Sequence, residues 1–265
     1  MKLEAVTSYE ALDAELSALL KKKIVANYAP ERESLEAEIA AGLLWAGRLP
    51  EGLVLLRRGN GPQRLRFLLT EPAVLRDLPL DRSTALELPF RRSDERFPKL
   101  AKELEGSGWT EALRRVRLTR RAAPPEAPGA EPPVCGCGGE AESPAELWTL
   151  LRSCFSPLTG CLPEPEELAA DLAAGRVLTR HGGLLRWREK GKSSEIRHLA
   201  VAADHRGQGL AKALVADYLA LEGGKLCRVW TGADNLAARH VYERFGYAED
   251  GWASIVLFRA NPELL

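Results

Sequence analysis

The chain has 265 residues, of which 45% are hydrophobic and 28% charged, and its 37 basic residues equal its 37 acidic ones. This composition is typical of soluble globular protein, and the length predicts one large or two modest domains. A zero net charge excludes a protein that coats nucleic acid by bulk charge, so we expect no nucleic-acid partner. No apolar run reaches about 18 residues, so we also expect no membrane partner.

The first half contains an amphipathic helix pattern, LEAEIAAG at residues 35–42, which a glycine closes. Two strand patterns follow, GLVLLRR at 52–58 and QRLRFLLT at 63–70, joined by a turn that contains glycine. A second helix pattern ends near Gly108, and the last strand pattern, LRRVRLTR, occupies residues 113–120. These elements predict a first domain over residues 1–122.

Residues 123–144 have a different composition, rich in Pro, Gly, Ala and Glu, with four acidic residues and no basic one. Such a stretch buries too little apolar surface to offset the entropy of ordering, so we interpret it as a linker. Cys135-Gly136-Cys137 supplies two thiolates, but a zinc site needs four ligands, so we expect no metal. Five cysteines, an odd number, indicate a reducing compartment, and the acidic N-terminal segment does not resemble a signal peptide. We expect a cytoplasmic protein.

Residues 145–265, the second predicted domain, repeat the pattern of the first half. LAADLAAG at 168–175 lies 133 positions after LEAEIAAG, and two strand patterns follow it again. The sustained register indicates an internal duplication. Alternating helix and strand patterns predict a mixed α/β (α+β) fold with a sheet in each domain.

Only the second half has an insert after its last paired strand pattern. Residues 196–201 read as a strand, and Gly207-Gln208-Gly209 opens a helix whose predicted buried stripe is Leu210, Leu214, Tyr218 and Leu221. The first turn of a helix presents unpaired N–H groups, and glycines let an anion approach the backbone. This unit therefore predicts a phosphate site, with Arg206 as an additional donor. The string GxxxxGK[ST] is absent, and Lys212 stands where a dinucleotide fingerprint needs a small residue.

The residues match the acyl-CoA signature R-x-x-G-x-A at Arg206, Gly209 and Ala211, and NLAARHVYERFGY at 235–247 follows about 30 residues later. In these motifs the second half resembles the GNAT N-acetyltransferase superfamily. The resemblance implies two GNAT-like domains in tandem, each a mostly antiparallel twisted sheet flanked by helices. It also implies a splayed parallel strand pair at the CoA site of the C-terminal domain. The first half, with neither glycine turn nor long helix in the corresponding place, is interpreted as a degenerate copy.

The resemblance implies acetyl-CoA as cosubstrate. Backbone groups of the strand would pair with its pantetheine arm, and N–H groups of the turn would hold its pyrophosphate. The cofactor-binding residues so implied are Leu199, Ala200, Val201, Arg206, Gly207, Gln208, Gly209, Leu210, Ala211 and Asn235. For Asn235, a helix N-cap without ligand contact is an equally simple interpretation.

Three residues are candidates for proton transfer. Tyr242 matches the family tyrosine that protonates the CoA sulfur, although a core aromatic residue would also fit a helix with Val241 and Phe245. Glu195 lies where a glutamate base occurs in the histone acetyltransferase branch, and His198 is the rival base. Strand alternation places Glu195 with Leu199 on one face and His198 on the other, unless a β-bulge intervenes. A solvated acid and a partly buried strand histidine are the alternatives.

We therefore expect an acetyl-CoA-dependent N-acetyltransferase that transfers an acetyl group to a primary amine of a small molecule or peptide by direct attack in a ternary complex. The alternative is a non-catalytic acyl-CoA-binding or interaction module. We expect the loop at residues 156–163 to border the acceptor site, with Trp187 and Trp252 as further candidates; together they carry no coherent charge. A monomer or homodimer is expected.

Overall fold

A computed structural model describes residues 1–121, 143–158 and 162–261. The chain divides into two compact units, the first comprising Met1–Arg114 with Ala253–Leu265 and the second Arg115–Trp252. Cys135, Cys137 and nearly all of the predicted linker lie outside the described residues.

Unit 1 is built from short strands and three helices among its described residues. The helices are α1 (Tyr9–Leu20), α2 (Arg32–Ala40) and α3 (Arg96–Glu105). The strands are β1 (Leu3–Ala5), β2 (Val25–Ala26), β3 (Leu44–Leu49), β4 (Gly52–Arg57), β5 (Gln63–Leu69), β6 (Thr84–Arg91) and the start of β7 (Thr110–Arg120). A 3-10 turn at Pro72–Asp77 connects β5 to β6.

The sheet of unit 1 runs in the order β1-β3-β4-β5-β6. Its pairs are antiparallel except for β5 and β6, which pair in parallel from Gln63↔Thr84 to Leu65↔Leu86. Apolar residues of β4, β5, β6 and α3 form one core, and α1 and α2 cover a second core on β3 and β4.

Unit 2 repeats this plan and adds a long helix. Its helices are α4 (Pro144–Cys154), α5 (Pro165–Ala173), α6 (Leu210–Glu222) and α7 (Leu236–Arg244). Its strands are β8 (Val177–Arg180), β9 (Gly183–Lys190), β10 (Ser193–Val201), β11 (Leu226–Gly232) and the start of β12 (Ala248–Arg259). The strand order from β7 is β7-β11-β10-β9-β8.

The sheet of unit 2 is antiparallel except for one parallel pair, as in unit 1. β10 and β11 pair in parallel from Ser193↔Leu226 to Ile196↔Val229, whereas β8, β9 and β7 pair with their neighbours in antiparallel fashion. The mixed α/β fold predicted for both halves is thus confirmed.

β7 and β12 each contribute to both units. Residues 115–120 of β7 belong to unit 2, and residues 253–259 of β12 belong to unit 1. This division differs from the boundaries at residues 122 and 145 that composition suggested, because each long strand continues past the end of one sheet pattern. The amino-acid composition gives no sign that β7 and β12 each extend into a second unit.

A buried acid recurs at the duplicated helix. Glu38 of α2 is 6% exposed and bonds Arg66 at 2.6 Å, and Asp171 of α5, 133 positions later, is 9% exposed and bonds Arg176 at 2.6 Å and Arg186. An isolated buried carboxylate is costly, so an arginine partner in each copy accounts for its place in the fold. The recurrence supports the internal duplication.

Helix α6 packs Leu214, Val215 and Tyr218 into the core of unit 2. The predicted stripe is wrong at Leu221, which is 50% exposed. The buried arc centres between Leu214 and Val215, and position 221 lies outside it at 100° per residue. Among the described residues, no helix is long and apolar enough to cross a membrane.

Candidate active site

The exit of β10 is shaped by a β-bulge. Register with β9 shifts between Ile196, which faces Trp187, and His198, which faces Arg186. Ile196 packs in the core beneath α6, whereas His198 contacts Phe155 at the end of α4, with ring centroids 5.3 Å apart. A bulge reverses the alternation of a strand. The simple alternation predicted for this strand is therefore wrong, and Glu195 and His198 lie on the same face.

β10 and β11 separate immediately after the bulge begins. Their parallel pairing ends at Ile196↔Val229, yet β10 continues to Val201 and β11 to Gly232. On the far side, Leu199, Ala200 and Val201 pair with β9 only. Each strand has backbone polar groups on both edges, so the separation exposes a row of N–H and C=O groups toward the gap.

Two glycines shape the start of α6. Gly207 has φ 77° and Gly209, the N-cap, has φ 84°, a region that favours glycine. A Cβ added at either position would meet nothing within 4 Å, so open space lies in front of both. The first helical N–H groups, at Leu210, Ala211 and Lys212, have no intrahelical acceptor by helix geometry. This arrangement fits a phosphate group, and with the strand gap it fits an acyl-CoA.

The side chains of the turn bond to its own backbone. Arg206 Nε donates to the Val201 carbonyl at 3.2 Å, and Gln208 Nε2 donates to the Asp204 carbonyl at 3.0 Å. Cys154 Sγ, on α4, also donates to the Val201 carbonyl, at 3.4 Å. The Arg206 guanidinium thus fixes the turn to the end of β10 and remains exposed beside the glycines.

Tyr242 lies on α7 and is 3% exposed, in the core shared with α6. Its ring centroid is 5.5 Å from that of Tyr247. Burial raises the pKa of Tyr242 above its ordinary value. A phenol in this environment holds its proton at neutral pH, as a general acid must.

The two candidate bases differ in environment. Glu195 is partly exposed and bonds Arg197 Nη1 at 2.6 Å. His198 is 3% exposed; burial, and then the charges of Arg186, Arg197 and Arg115, lower its pKa well below 6.5. Arg186 Nη1 lies 3.5 Å from His198 Nδ1 and can only donate, so the neutral ring carries its proton on Nε2.

The other predicted residues have clear places. Asn235 caps α7, since its Oδ1 accepts from Ala238 N at 3.1 Å. Trp187 is 3% exposed in the core with Tyr218, so its proposed place in an acceptor site is wrong. Sheet alternation turns Trp187 toward α6. In the predicted acceptor loop, residues 159–161, including Cys161, lie outside the described residues.

The corresponding place in unit 1 is filled by one side chain, Asn27, which the motif analysis missed. Asn27 is 6% exposed, and its Nδ2 donates to the carbonyls of Leu65 on β5, at 3.2 Å, and Glu87 on β6, at 2.9 Å. Its Oδ1 accepts from Phe67 N at 2.7 Å. These backbone groups lie where the parallel pair of unit 1 ends. A lone Asn after a two-residue strand carries no sequence signal for this role.

Unit 1 also lacks the other parts of the site. The 3-10 turn Pro72–Asp77 stands between β5 and β6 in place of a glycine turn and a long helix. Leu104, fully buried, lies on α3 where the repeat aligns Tyr242. Across the part of the chain that the structure describes, no group of three or more potential metal ligands was found.

Comparison with known proteins agrees with this geometry. Residues 146–247 match the model of the acetyltransferase (GNAT) family. An uncharacterized N-acetyltransferase of Methanocaldococcus jannaschii is 32% identical over 75 residues, which are 26% of this chain and 33% of that relative. The match thus spans only a third of the length of the curated relative.

Solved structures share the fold over nearly the whole chain. A tandem GNAT protein from the clavulanic acid biosynthesis pathway has a TM-score of 0.59 at 14% identity, covering 98% of this chain and 99% of its own. A putative acetyltransferase from Pyrococcus horikoshii has a TM-score of 0.58 at 12% identity, covering 98% and 89%. A GNAT-family acetyltransferase from Colwellia psychrerythraea has 0.53 at 13%, covering 98% and 100%.

The solved structures resemble this chain in fold. The family-model match, in contrast, lies within the C-terminal half, which carries the glycine turn and the separated strands. Residues 146–247 thus match the GNAT acetyltransferase family, and the chain as a whole is similar in fold to a tandem GNAT protein.

Proposed function

We propose that this chain is an acetyl-CoA-dependent N-acetyltransferase whose second unit transfers an acetyl group to a primary amine by direct attack in a ternary complex. The observation that carries the proposal is the glycine turn of α6 beside the gap between β10 and β11. A helix N-terminus with space in front binds an anion, and a strand edge pairs with an extended amide chain.

Acetyl-CoA, when bound, supplies a thioester whose carbonyl the amine attacks. The N–H groups from Gly207 to Ala211 would hold its pyrophosphate, since the N–H of Arg206 already donates to the Ala203 carbonyl. The backbone of Leu199, Ala200 and Val201 orients the pantetheine arm, and one of these N–H groups stabilises the charge that develops on the carbonyl oxygen. Asn235 caps α7 and thereby positions the first turn of that helix.

Tyr242 donates the proton that the departing thiolate needs. Its burial and its raised pKa keep the hydroxyl protonated until it is used. Glu195 accepts the proton from the amine, since its carboxylate is partly exposed. His198 is a poor base, because protonating it would place a second cation against Arg186.

The test is Tyr242→Phe, which preserves the packing and removes the hydroxyl. We expect kcat to fall about a hundredfold or more, with the Kd of acetyl-CoA unchanged, because general acid catalysis contributes at least this much. Free-thiol release over a panel of amines measures kcat. Tyr247→Phe, beside Tyr242 in the same core, is the matched control and is expected to retain activity.

A fully active Tyr242→Phe enzyme would remove Tyr242 from the mechanism. Saturable acetyl-CoA binding without turnover of any amine would instead favour the non-catalytic acyl-CoA-binding module. The ion pair that engages Glu195 with Arg197 is the feature that fits such a module.

A further inference from the structure

The sheet face of unit 2 opposite α6 is rich in arginine. Because Val116, Cys227 and Val229 pack toward α6, the alternating residues of β7 and β11 point to the opposite face. This opposite face carries Arg115, Arg117, Arg228, Trp230 and Thr119. The bulge places Glu195 and His198 on the same face, and Asp250 and Trp252 of β12 contact Arg117 there.

The carboxylates of this face are already engaged. Asp250 Oδ2 accepts from Arg117 Nε at 2.8 Å and from Thr119 Oγ1 at 2.7 Å, and Glu195 bonds Arg197 at 2.6 Å. Arg117 and Arg197 therefore have carboxylate partners on this face. Burial, and then the charges of Arg186, Arg197 and Arg115, lower the pKa of His198 on this face.

Arg228 is the arginine of this face whose guanidinium is left with an unsatisfied N–H group. It lies in register with Glu195 on β10 and Thr119 on β7 and is half-buried. Its Nε is buried with no hydrogen-bond acceptor, and its Nη1 reaches only the Ser193 hydroxyl, at 3.5 Å. Among the described residues it forms no ion pair. A half-buried guanidinium with an unsatisfied N–H is costly, and an anionic ligand would offset that cost.

Two tryptophans orient the neighbouring arginines. The Arg115 guanidinium lies 5.8 Å from the Trp230 ring, and that of Arg117 lies between Trp230, at 5.7 Å, and Trp252, at 5.0 Å. Stacking on an indole restricts a guanidinium without cancelling its charge. Trp230 directly follows the last β11 residue paired with β10, so this cationic, aromatic surface borders the strand gap.

We propose that the acceptor is a small amine that also carries an anionic group, a carboxylate or a phosphate, and that Arg228 binds this group beside the gap. The inference rests on the proposed function, since it specifies the acceptor of that reaction. Polyamines and lysine-rich peptides are poor acceptors on this proposal, because the surface repels a second positive charge.

The experiment compares acceptors that share a skeleton and differ in one group. Ethanolamine, serine and O-phosphoethanolamine form one set, and tyramine, tyrosine and tyramine phosphate form another. We expect the better anionic member of a set to exceed the neutral one at least tenfold in kcat/KM. Serine and tyrosine carry a carboxylate, whereas O-phosphoethanolamine and tyramine phosphate carry a phosphate. Comparing their kcat/KM values shows which of the two anions the enzyme prefers.

Arg228→Gln tests the residue itself. Losing a charge-assisted hydrogen bond weakens binding about ten- to a hundredfold, so the ratio of anionic to neutral kcat/KM should fall by that factor. Arg228→Lys keeps the charge and should restore much of the ratio. Arg152→Gln is the matched control, since Arg152 also stacks on an indole, that of Trp148, but on α4. Its ratio should equal that of the wild type.

A neutral or polycationic acceptor that matches or exceeds the anionic ones overturns the inference, as does an unchanged ratio in Arg228→Gln. If acetyl-CoA binds but no acceptor is turned over, the proposed function fails separately. Titration calorimetry with CoA and either N-acetylserine or N-acetylethanolamine then decides. Tighter binding of the acid in the wild type, lost in Arg228→Gln, supports the anion site, and equal binding or none refutes it.

Discussion

At the scale of single residues, the bulge near Arg197 decides which side chains of β10 share a face. Simple alternation separates Glu195 from His198, whereas the register shift puts them together. The two then differ in solvent access and not in direction, because Phe155 and Arg186 enclose the imidazole. This is why we assign the base to Glu195 and a structural place to His198.

His198 also predicts a pH dependence of stability. Its folded pKa lies well below 6.5, so as pH falls below 6.5 the unfolded chain gains a proton that the folded chain does not. Stability is therefore lost on acidification, by up to about 2 kcal/mol at pH 5 relative to pH 7 for this one group. Urea unfolding should show a smaller loss between these pH values for His198→Gln.

The exposed His240 on α7 supplies the control for that measurement. His240→Gln should keep the pH dependence of the wild type. If His198→Gln and His240→Gln lose the same stability between pH 7 and pH 5, burial does not hold His198 neutral.

At the scale of elements, the two copies differ in one helix, α6, which unit 2 has and unit 1 lacks. Both units contain a parallel pair that parts after a few residues, but only unit 2 follows it with a glycine turn and α6. In unit 1, Asn27 bonds both separated strands and satisfies backbone groups that a ligand would otherwise meet. We infer that acyl-CoA binds to unit 2 alone, with one molecule per chain.

The N-terminus of α6 can be tested by Gly209→Ala. An alanine at φ 84° costs about 1–2 kcal/mol, and relaxing that strain moves the N–H groups of the first turn. We expect lower stability and at least tenfold weaker acetyl-CoA binding, measured by urea unfolding and titration calorimetry. Gly224→Ala, past the other end of α6, has space for a Cβ and no positive φ, so its Kd should not change. Unchanged binding in Gly209→Ala would argue against a phosphate site at this turn.

At the scale of the whole molecule, the two units do not correspond to two consecutive halves of the chain. The last strand leaves unit 2 after Trp252, and its final residues, including Ile255 and Leu257, join the core of unit 1. A domain boundary placed by composition therefore cuts across a core. Neither predicted domain contains the full set of strands of a unit.

Leu257→Ala tests this arrangement. Leu257 is fully buried, and such a truncation costs about 2–5 kcal/mol. Although residue 257 follows the whole of unit 2 in sequence, we expect hydrogen exchange to accelerate in β4 and β6 of unit 1. Leu236→Ala, at a position 71% exposed, should leave exchange in these strands unchanged. Full protection of β4 and β6 in Leu257→Ala would show that this strand contributes nothing to the core of unit 1.

The sequence by itself determined what depends on local pattern. Periodicity located the duplicated helix and strands, and Gly207-Gln208-Gly209 located the start of α6, because turn and cap chemistry act over a few residues. Tertiary structure alone decided the bulge at Arg197, the bonds of Asn27, the exchange of β7 and β12 and the arginine face around Arg228. Each of these depends on pairing between segments far apart in the chain. A shift of one residue in such pairing moves every side chain of a strand to the opposite face of the sheet.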